Sequence, residues 1–541
     1  MDKQMNHEVL LTDMYQFTMC YGYFKAGIHN QTAVFDLFFR KSPFGGEYTI
    51  FGGLEDCINY VKDFKFTQTD MSYLKELLPS NIPQSFYEYL HNLDFSKVKI
   101  TAISEGNVVF PRVPLITVEG PIGICQLLET PFLNFVNFSS LIATNAARFR
   151  HVAGPRINLL ELGLRRAQGP NGGLTASKYS YIGGFDGTSN VLAGKLYGVP
   201  VKGTQAHAFV TAFDKDEPLN DPMILNQHTN KMENIFDLAE AKLHSFNAVK
   251  DLKRSEEDVN MSEFKAFCAW AVAFPNNFLV LIDTFKVLKS GVINFLAVAF
   301  ALDDLGYQSI GVRIDSGDLS YLSLEVRAIF SNFSRHFPNH AQCIANFKIV
   351  VSNDINEGTI DSINRQGHSI DSYGVGTHLV TCQRQPALGC VYKLVCLADT
   401  PKIKISEDVA KLTIPFKKHC FRLYGKNGKA MLDYMTEDEN EIPEPQKEMF
   451  CFHPFDATKR ARVIPFTVKK LNVVYWDGGQ VATPLPSIHQ IKNNKDIAMA
   501  EIREDHLRSL NPTPFKVSLS ENMYNMLHTL WLANTPISRL E

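Results

Sequence analysis

The stretch Ser309-Ile310-Gly311-Val312-Arg313-Ile314 runs straight into Asp315-Ser316-Gly317-Asp318, and the same grammar recurs along the middle of the chain. Phe278-Leu279-Val280-Leu281-Ile282 ends in Asp283-Thr284, Lys348-Ile349-Val350-Val351 in Ser352-Asn353-Asp354, and residues 369–375 in Gly376-Thr377. Each is an apolar run of strand length, unbroken as a parallel strand covered on both faces must be, and closed by polar or small residues. Between these runs the spacing predicts helices. Leu322, Val326, Ile329, Phe330 and Phe333 share one helical stripe, and the apolar segment 285–305 stops at Gly306. Strand, polar loop, helix, strand is the pattern of an α/β barrel or a doubly wound sheet. Ligands sit at the carboxyl ends of the strands in both, so these polar strand ends are site candidates by geometry.

The flanks read differently. Residues 100–120 look like extended segments broken at Pro111 and Pro114, and residues 402–434 like antiparallel strands joined by a hairpin turn at Gly425-Lys426-Asn427-Gly428. A second, sheet-rich domain built from both flanks fits. The acidic stretch 436–445 reads as an exposed loop, Ser520 as the cap of a last helix turning Tyr524, Leu527 and Trp531 inward, and residues 214–244 as a loop beside the site.

At 541 residues the chain exceeds one ordinary domain of about 150 residues. Its 45% hydrophobic and 21% charged residues are those of a chain that buries a large core. A net charge of −3 gives no global pull toward nucleic acid or an anionic membrane, so any phosphate must be held in a local basic pocket. Residues 1–7 are polar, and the longest apolar runs, such as 295–302, fall short of the ~20 residues of a membrane span. Ten cysteines lie between Cys20 and Cys451 with no Cys-x-x-Cys pair and no zinc spacing, which predicts reduced thiols and a cytosolic protein.

Four clusters can carry chemistry. In Leu11-Thr12-Asp13-Met14-Tyr15-Gln16, Tyr15 is either a core or interface aromatic or a platform for a ligand. In Gly163-Leu164-Arg165-Arg166-Ala167-Gln168-Gly169-Pro170, the paired arginines either grip a phosphate or carboxylate through bidentate hydrogen bonds or form a solvated basic face. In Lys202-Gly203-Thr204-Gln205-Ala206-His207, after a short strand, Thr204 and His207 fall on one rim. A histidine there is an acid, a base, a covalent phosphate carrier or a structural residue. In Arg313 to Asp318, an arginine and two carboxylates offer anion binding and a magnesium anchor, or a structural ion pair. Asp303-Asp304 looks like the acidic pair of a phosphoribosyltransferase loop, but Leu305-Gly306-Tyr307 does not continue it, and the pair reads as a helix end.

In this order and context the clusters resemble the eukaryotic nicotinate phosphoribosyltransferases. The matching segments are residues 10–16, Phe39-Arg40-Lys41-Ser42-Pro43-Phe44-Gly45-Gly46, Leu128-Glu129-Thr130-Pro131 and Ala143-Thr144-Asn145-Ala146-Ala147-Arg148-Phe149-Arg150, then residues 163–169, 203–207, 313–318 and 374–377. The resemblance implies the type II phosphoribosyltransferase fold, an irregular α/β barrel with an α/β sandwich. Residues 1–20 and 145–395 then form the barrel, 21–144 and 396–470 the sandwich, and 471–541 a C-terminal extension packed on one of them. It implies a homodimer with sites at the interface and no nucleic-acid or membrane partner. The implied reaction is attack of the nicotinate ring nitrogen on C1 of phosphoribosyl pyrophosphate, giving nicotinate mononucleotide and pyrophosphate, the first step of NAD synthesis from nicotinate. Mg2+ or Mn2+ is implied as cofactor, and ATP as a co-substrate hydrolysed through a phosphohistidine, which makes the enzyme a ligase.

Carried over residue by residue, His207 matches the phosphorylated histidine and Tyr15 the aromatic that packs on the pyridine ring from the partner subunit. Thr204 and Arg313 match nicotinate-binding positions, Arg165 a contact to the phosphoribosyl substrate, and Gly376-Thr377 the phosphate-binding turn. Ser189 stands where a related nicotinamide enzyme has an acid, which removes a repulsion against nicotinate. The chemistry agrees: glycosyl transfer from a pyrophosphate passes through an oxocarbenium-like state and needs a stabilised polyanion more than a strong base. The pyridine nitrogen has no proton to lose, so no catalytic triad is required. Nicotinamide, quinolinate or a catalytically silent binding role are the competing readings.

Overall fold

A computed structural model describes residues 8–246, 259–406 and 411–535. The chain divides into two compact units, one of residues 1–147, 168–184 and 382–541, the other of residues 148–167 and 185–381.

The second unit is built on a parallel sheet. All four apolar runs are strands, Leu279–Leu281, Gly311–Ile314, Lys348–Ser352 and Ser372–Val375, hydrogen-bonded side by side in that order. Asn158–Glu161 and then Gly187–Thr188 continue the sheet, every pairing is parallel, and a bridge from Thr188 to Val201 extends it. The strand order is linear, and no pairing joins its two outer strands among the described residues. Val280, Val312, Ile314, Ile349, Val351, Tyr373 and Val375 are buried on either face, which is why no alternation is visible in the sequence.

Helices cover this sheet. Val292–Asp304 is buried from Val292 through Leu302, with Asn294 its one polar side chain in that run, and Gly306 with φ +88° follows its end. Asp303-Asp304 does close that helix. Leu319–His336 buries Ser323, Val326, Phe330 and Phe333, on the stripe read from the sequence. Phe295 stacks on Phe278 and meets the edge of Phe347, tying helix to strand ends. Residues 214–244 are not simply a loop. Met223–Leu225 and Met232–Asn234 form an antiparallel hairpin, and Ile235–Phe246 is a helix whose Ile235, Ala239, Leu243 and Phe246 are buried. The polar start of the segment hid a helical spacing that only begins at Ile235.

The first unit carries two mainly antiparallel sheets. One has the order Thr400–Pro401, Cys390–Leu397, Thr32–Phe39, Ile116–Pro121, Lys99–Ile103, Asn472–Asp477, Gln480–Val481. The other runs Arg460–Val463, Met449–Phe452, Lys516–Leu519, Ala430–Thr436, His419–Tyr424, Thr467–Lys470, and contains the expected hairpin across Gly425 to Gly428. Ser520 caps the helix Glu521–Asn534, accepting from the Met523 amide, and Leu527 is buried.

The boundaries between the units differ from those drawn on the sequence. Residues 8–20 belong with the sheets, because Phe17 and Cys20 of helix Met14–Lys25 are buried among Phe66, Met71, Leu74, Phe86 and Leu90. Residues 382–395 do so because Cys390–Leu397 pairs with Thr32–Phe39, and residues 168–184 because Tyr179 bonds Glu105. Residues 471–541 are no appended extension, since Asn472–Asp477 and Lys516–Leu519 are interior strands. These are long-range pairings that local pattern does not carry.

All ten cysteines are free, and burial pushes thiols such as Cys20 and Cys390 up to about 12, so they are inert packing groups. Among the described residues no helix is long and apolar enough to cross a membrane.

Candidate active site

The carboxyl ends of the parallel strands open on a cleft lined by Arg165, Arg166, Arg313, Asp315, Ser352, Gly376 and Thr377. A neighbouring, wider pocket adds Ser189, Thr204 and His207 and shares Arg165, Arg313 and Asp315. Six of the seven residues singled out for substrate or phosphate, all but Tyr15, therefore border connected space in one unit.

Each arrives there for a local reason. Arg313 is the third residue of Gly311–Ile314, and Asp315 is the first residue beyond the strand. Arg165 and Arg166 sit on a single turn, Leu164–Arg166, that follows Asn158–Glu161. That turn approaches the Gly376 turn so closely that a Cβ on Gly163 would lie 2.9 Å from Gly376 O and 2.7 Å from Val380, hence glycine. Glu161, 1% exposed, accepts from the Gly163 amide at 2.5 Å and from the Thr188 hydroxyl at 2.5 Å, joining the Arg165 turn to the Ser189 turn. Gly376 precedes the short helix Thr377–Val380.

His207 opens the helix His207–Thr211. Its Nδ1 is hydrogen-bonded to Thr284 Oγ1 at 3.0 Å, while Nε2 lies 3.8 Å from Asp283 Oδ1 and 3.7 Å from Asp315 Oδ2. Asp283 is nearly sealed. Its Oδ2 accepts from the Asp315 amide at 2.8 Å and the Ser316 hydroxyl at 2.6 Å, and its buried Oδ1 makes no hydrogen bond among the described residues. Arg313 Nε donates to Ser352 Oγ at 2.9 Å, and Ser352 Oγ donates to Asp315 Oδ1 at 2.5 Å.

Behind Asp283 a π-turn, Val287–Gly291, packs its Gly291 against Ile282. Its Ser290 donates to the buried Glu263 at 2.6 Å, as does Asn294 at 3.0 Å. Burial, aided by the charge of Asp283 and opposed by those two bonds, pushes the Glu263 carboxyl up to about 7.

Asp318, paired with Asp315 as a magnesium anchor in the sequence, instead caps Leu319–His336 by accepting from the Tyr321 amide. No cluster of three His, Cys, Asp or Glu side chains suited to a metal occurs among the described residues. Tyr15 lies on Met14–Lys25 in the first unit and is 44% exposed. Asp283, Thr284 and Ser352 lie outside the four sequence clusters, and only their place at the polar strand ends points to them.

Comparison with known proteins bears on this cleft. Residues 10–137 and 417–527 match the families described as nicotinate phosphoribosyltransferase N-terminal and C-terminal domains. The chain is 55% identical to "Nicotinate phosphoribosyltransferase" of Caenorhabditis elegans over 98% of its own length and 95% of the relative's, and 42% identical to the Homo sapiens protein of that name over 97% of each. It superimposes on "Crystal structure of human Nicotinic Acid Phosphoribosyltransferase" with a TM-score of 0.87 at 39% identity, covering 96% of this chain and all of that one.

Proposed function

The chain belongs to the nicotinate phosphoribosyltransferase family, enzymes of NAD synthesis, and from that premise we propose that its cleft joins nicotinate to phosphoribosyl pyrophosphate and couples the transfer to ATP through His207. The observation that carries this reading is that His207, Arg165 and Arg313, far apart in sequence, line one pocket. Arg313 presents a planar fork to the ring carboxylate, and Thr204 shares that pocket. Arg165 and the Gly376-Thr377 turn face the phosphoribosyl part. In the transfer, the ring nitrogen's lone pair forms the bond to C1 while the C1–O bond breaks and pyrophosphate leaves with that electron pair.

His207 is arranged as a phosphate acceptor. In the tautomer whose Nδ1–H donates to Thr284, Nε2 keeps its lone pair and faces Asp283 and Asp315, whose charges stabilise a developing imidazolium. Mg2+ or Mn2+ fits the donor set: hard carboxylate oxygens of Asp283 and Asp315, one of them unpaired, with the remaining positions left to substrate phosphates and water. The metal would neutralise the pyrophosphate.

The exposed apolar residues Leu11, Met14, Tyr15 and Met19 in the first unit, and Leu164, Val191 and Val201 lining the pocket in the second, support a homodimer in which Tyr15 packs on the partner's pyridine ring. A cytosolic location accords with the ten free thiols.

The test is pyrophosphate release with nicotinate, nicotinamide and quinolinate in turn. Release dependent on nicotinate is expected; a preference for either other pyridine overturns the substrate. His207→Ala is expected to abolish covalent phosphate labelling and ATP hydrolysis while leaving weak transfer, and unchanged labelling would move the phosphate carrier elsewhere.

A further inference from the structure

The geometry points to Ser352 as the positioning residue that makes Arg313 selective for a pyridine carboxylate, by holding the guanidinium apart from Asp315. The inference deepens the nicotinate reading and rests on it.

Ser352 ends Lys348–Ser352, and the register pairs Arg313 with Val350 and Ile314 with Val351, so Ser352 falls beside Asp315 where the two strands finish. It is 5% exposed, and its one hydroxyl is engaged on both sides, accepting from Arg313 Nε at 2.9 Å and donating to Asp315 Oδ1 at 2.5 Å. The direct approach of Arg313 Nη2 to Asp315 Oδ1 is 3.5 Å, too long for a good hydrogen bond. The acid and the guanidinium are thus linked through the hydroxyl rather than face to face.

That spacing decides what Arg313 can bind. A guanidinium meets a carboxylate best through two parallel N–H···O bonds, and Arg–Asp neighbours adopt that fork whenever they can. Were Arg313 to close on Asp315, its fork would be filled internally and its charge cancelled where the substrate's carboxylate should lie. With Ser352 on Nε and Nη2 standing 3.5 Å off Asp315, Nη1 has no hydrogen-bond partner among the described residues, in a side chain that lines the pocket. Removing the hydroxyl takes away the spacer and lets the ion pair collapse, so affinity falls for a ligand with a ring carboxylate and changes little for one with a neutral amide. The phosphoribosyl end keeps Arg165 and the Gly376-Thr377 turn, so it loses less than the ring end.

Steady-state kinetics on the full chain, with nicotinate, nicotinamide and phosphoribosyl pyrophosphate each varied, tests this for the wild type, Ser352→Ala and Ser352→Thr. In Ser352→Ala the nicotinate KM is expected to rise about tenfold, several times more than the phosphoribosyl pyrophosphate KM does. The nicotinate-to-nicotinamide ratio of kcat/KM should fall by about the same factor, and Ser352→Thr, which keeps the hydroxyl, should restore both. Should Ser352→Ala fail to fold, Ser352→Cys, close in size and a weak donor, is expected to shift the nicotinate KM in the same direction. A nicotinate KM within twofold of the wild type, or a fall in every parameter together with the melting temperature, overturns the inference. A wild type that does not use nicotinate overturns this inference and the proposed function together, whereas normal wild-type turnover with an unchanged Ala variant overturns this one alone.

Discussion

Arg422 in the first unit and Arg313 in the second both lie on short strands, and they are finished in opposite ways. Arg422 is 1% exposed, gives Nε and Nη2 to the two oxygens of Asp433 at 2.7 and 2.9 Å, donates also to Val108 O, and lies over the Phe110 ring. Lys418 and Asp36 form a second sealed pair nearby in the sheets, at 2.6 Å with both side chains almost wholly buried. Arg313 keeps 15% of its side chain open, holds one hydroxyl and stands off its acid. Asp283, beside it, is buried with one oxygen unmatched. A sealed pair repays its desolvation internally and has nothing left for a ligand; a half-matched group keeps capacity that substrate must complete. Between these two arginines the difference is one of saturation and not of charge.

The contrast can be broken by experiment. Arg422→Ala should cost about 3–5 kcal/mol of stability by stranding Asp433 in the interior, read by chemical denaturation, with the nicotinate KM of the folded fraction unchanged. A loss under 1 kcal/mol would mean the sealed pair is not structural. Arg313→Ala should do the reverse, with the denaturation midpoint nearly constant and nicotinate kcat/KM lowered by about 2–4 kcal/mol, chiefly through KM. An unaltered KM would remove Arg313 from the ring site.

Glu263 sharpens the comparison from beneath the site. Its folded pKa, about 7, lies above the ordinary carboxyl value, so the native state holds a proton that the unfolded chain releases. Its contribution to stability is therefore full at low pH and is lost as pH rises from the unfolded value toward about 7. Glu263→Gln should flatten that part of the stability profile, and an unchanged slope would show that the carboxyl stays ionised. The smallest effect belongs to plain scaffold: Ser520→Ala should cost about 1 kcal/mol by removing the cap on Glu521–Asn534, without touching kinetics.

Much of the cleft was legible in the sequence because its residues stand at strand ends, and strand ends announce themselves. Apolar runs stopping at Asp283, Asp315, Ser352 and Gly376 identified the carboxyl edge of a parallel sheet before any pairing was known. Asp318 misled because a helix cap and a metal ligand are the same residue type in the same loop. Ser352 gave no signal of its own, since a serine ending a strand is ordinary until its two partners are seen. Residues 8–20 and 471–535 pack elsewhere than local pattern suggests for a related reason: what Phe17 packs on, and which strand Asn472–Asp477 joins, are contacts made far away along the chain.

By itself, then, the sequence determined the α/β grammar, the helical stripes, the hairpin at Gly425 to Gly428 and the family to which the motifs belong, all properties of near neighbours and of repeat spacing. Only the tertiary structure decided which acid answers which base: that Arg422 is closed by Asp433 and Lys418 by Asp36, while Arg313 reaches Asp315 through a hydroxyl and His207 looks onto two carboxylates. Hydrogen bonds and ion pairs are fixed within a few tenths of an ångström, by strands whose order in the sheet is not their order in the chain, so how completely each charge is matched cannot be read until the strands are side by side.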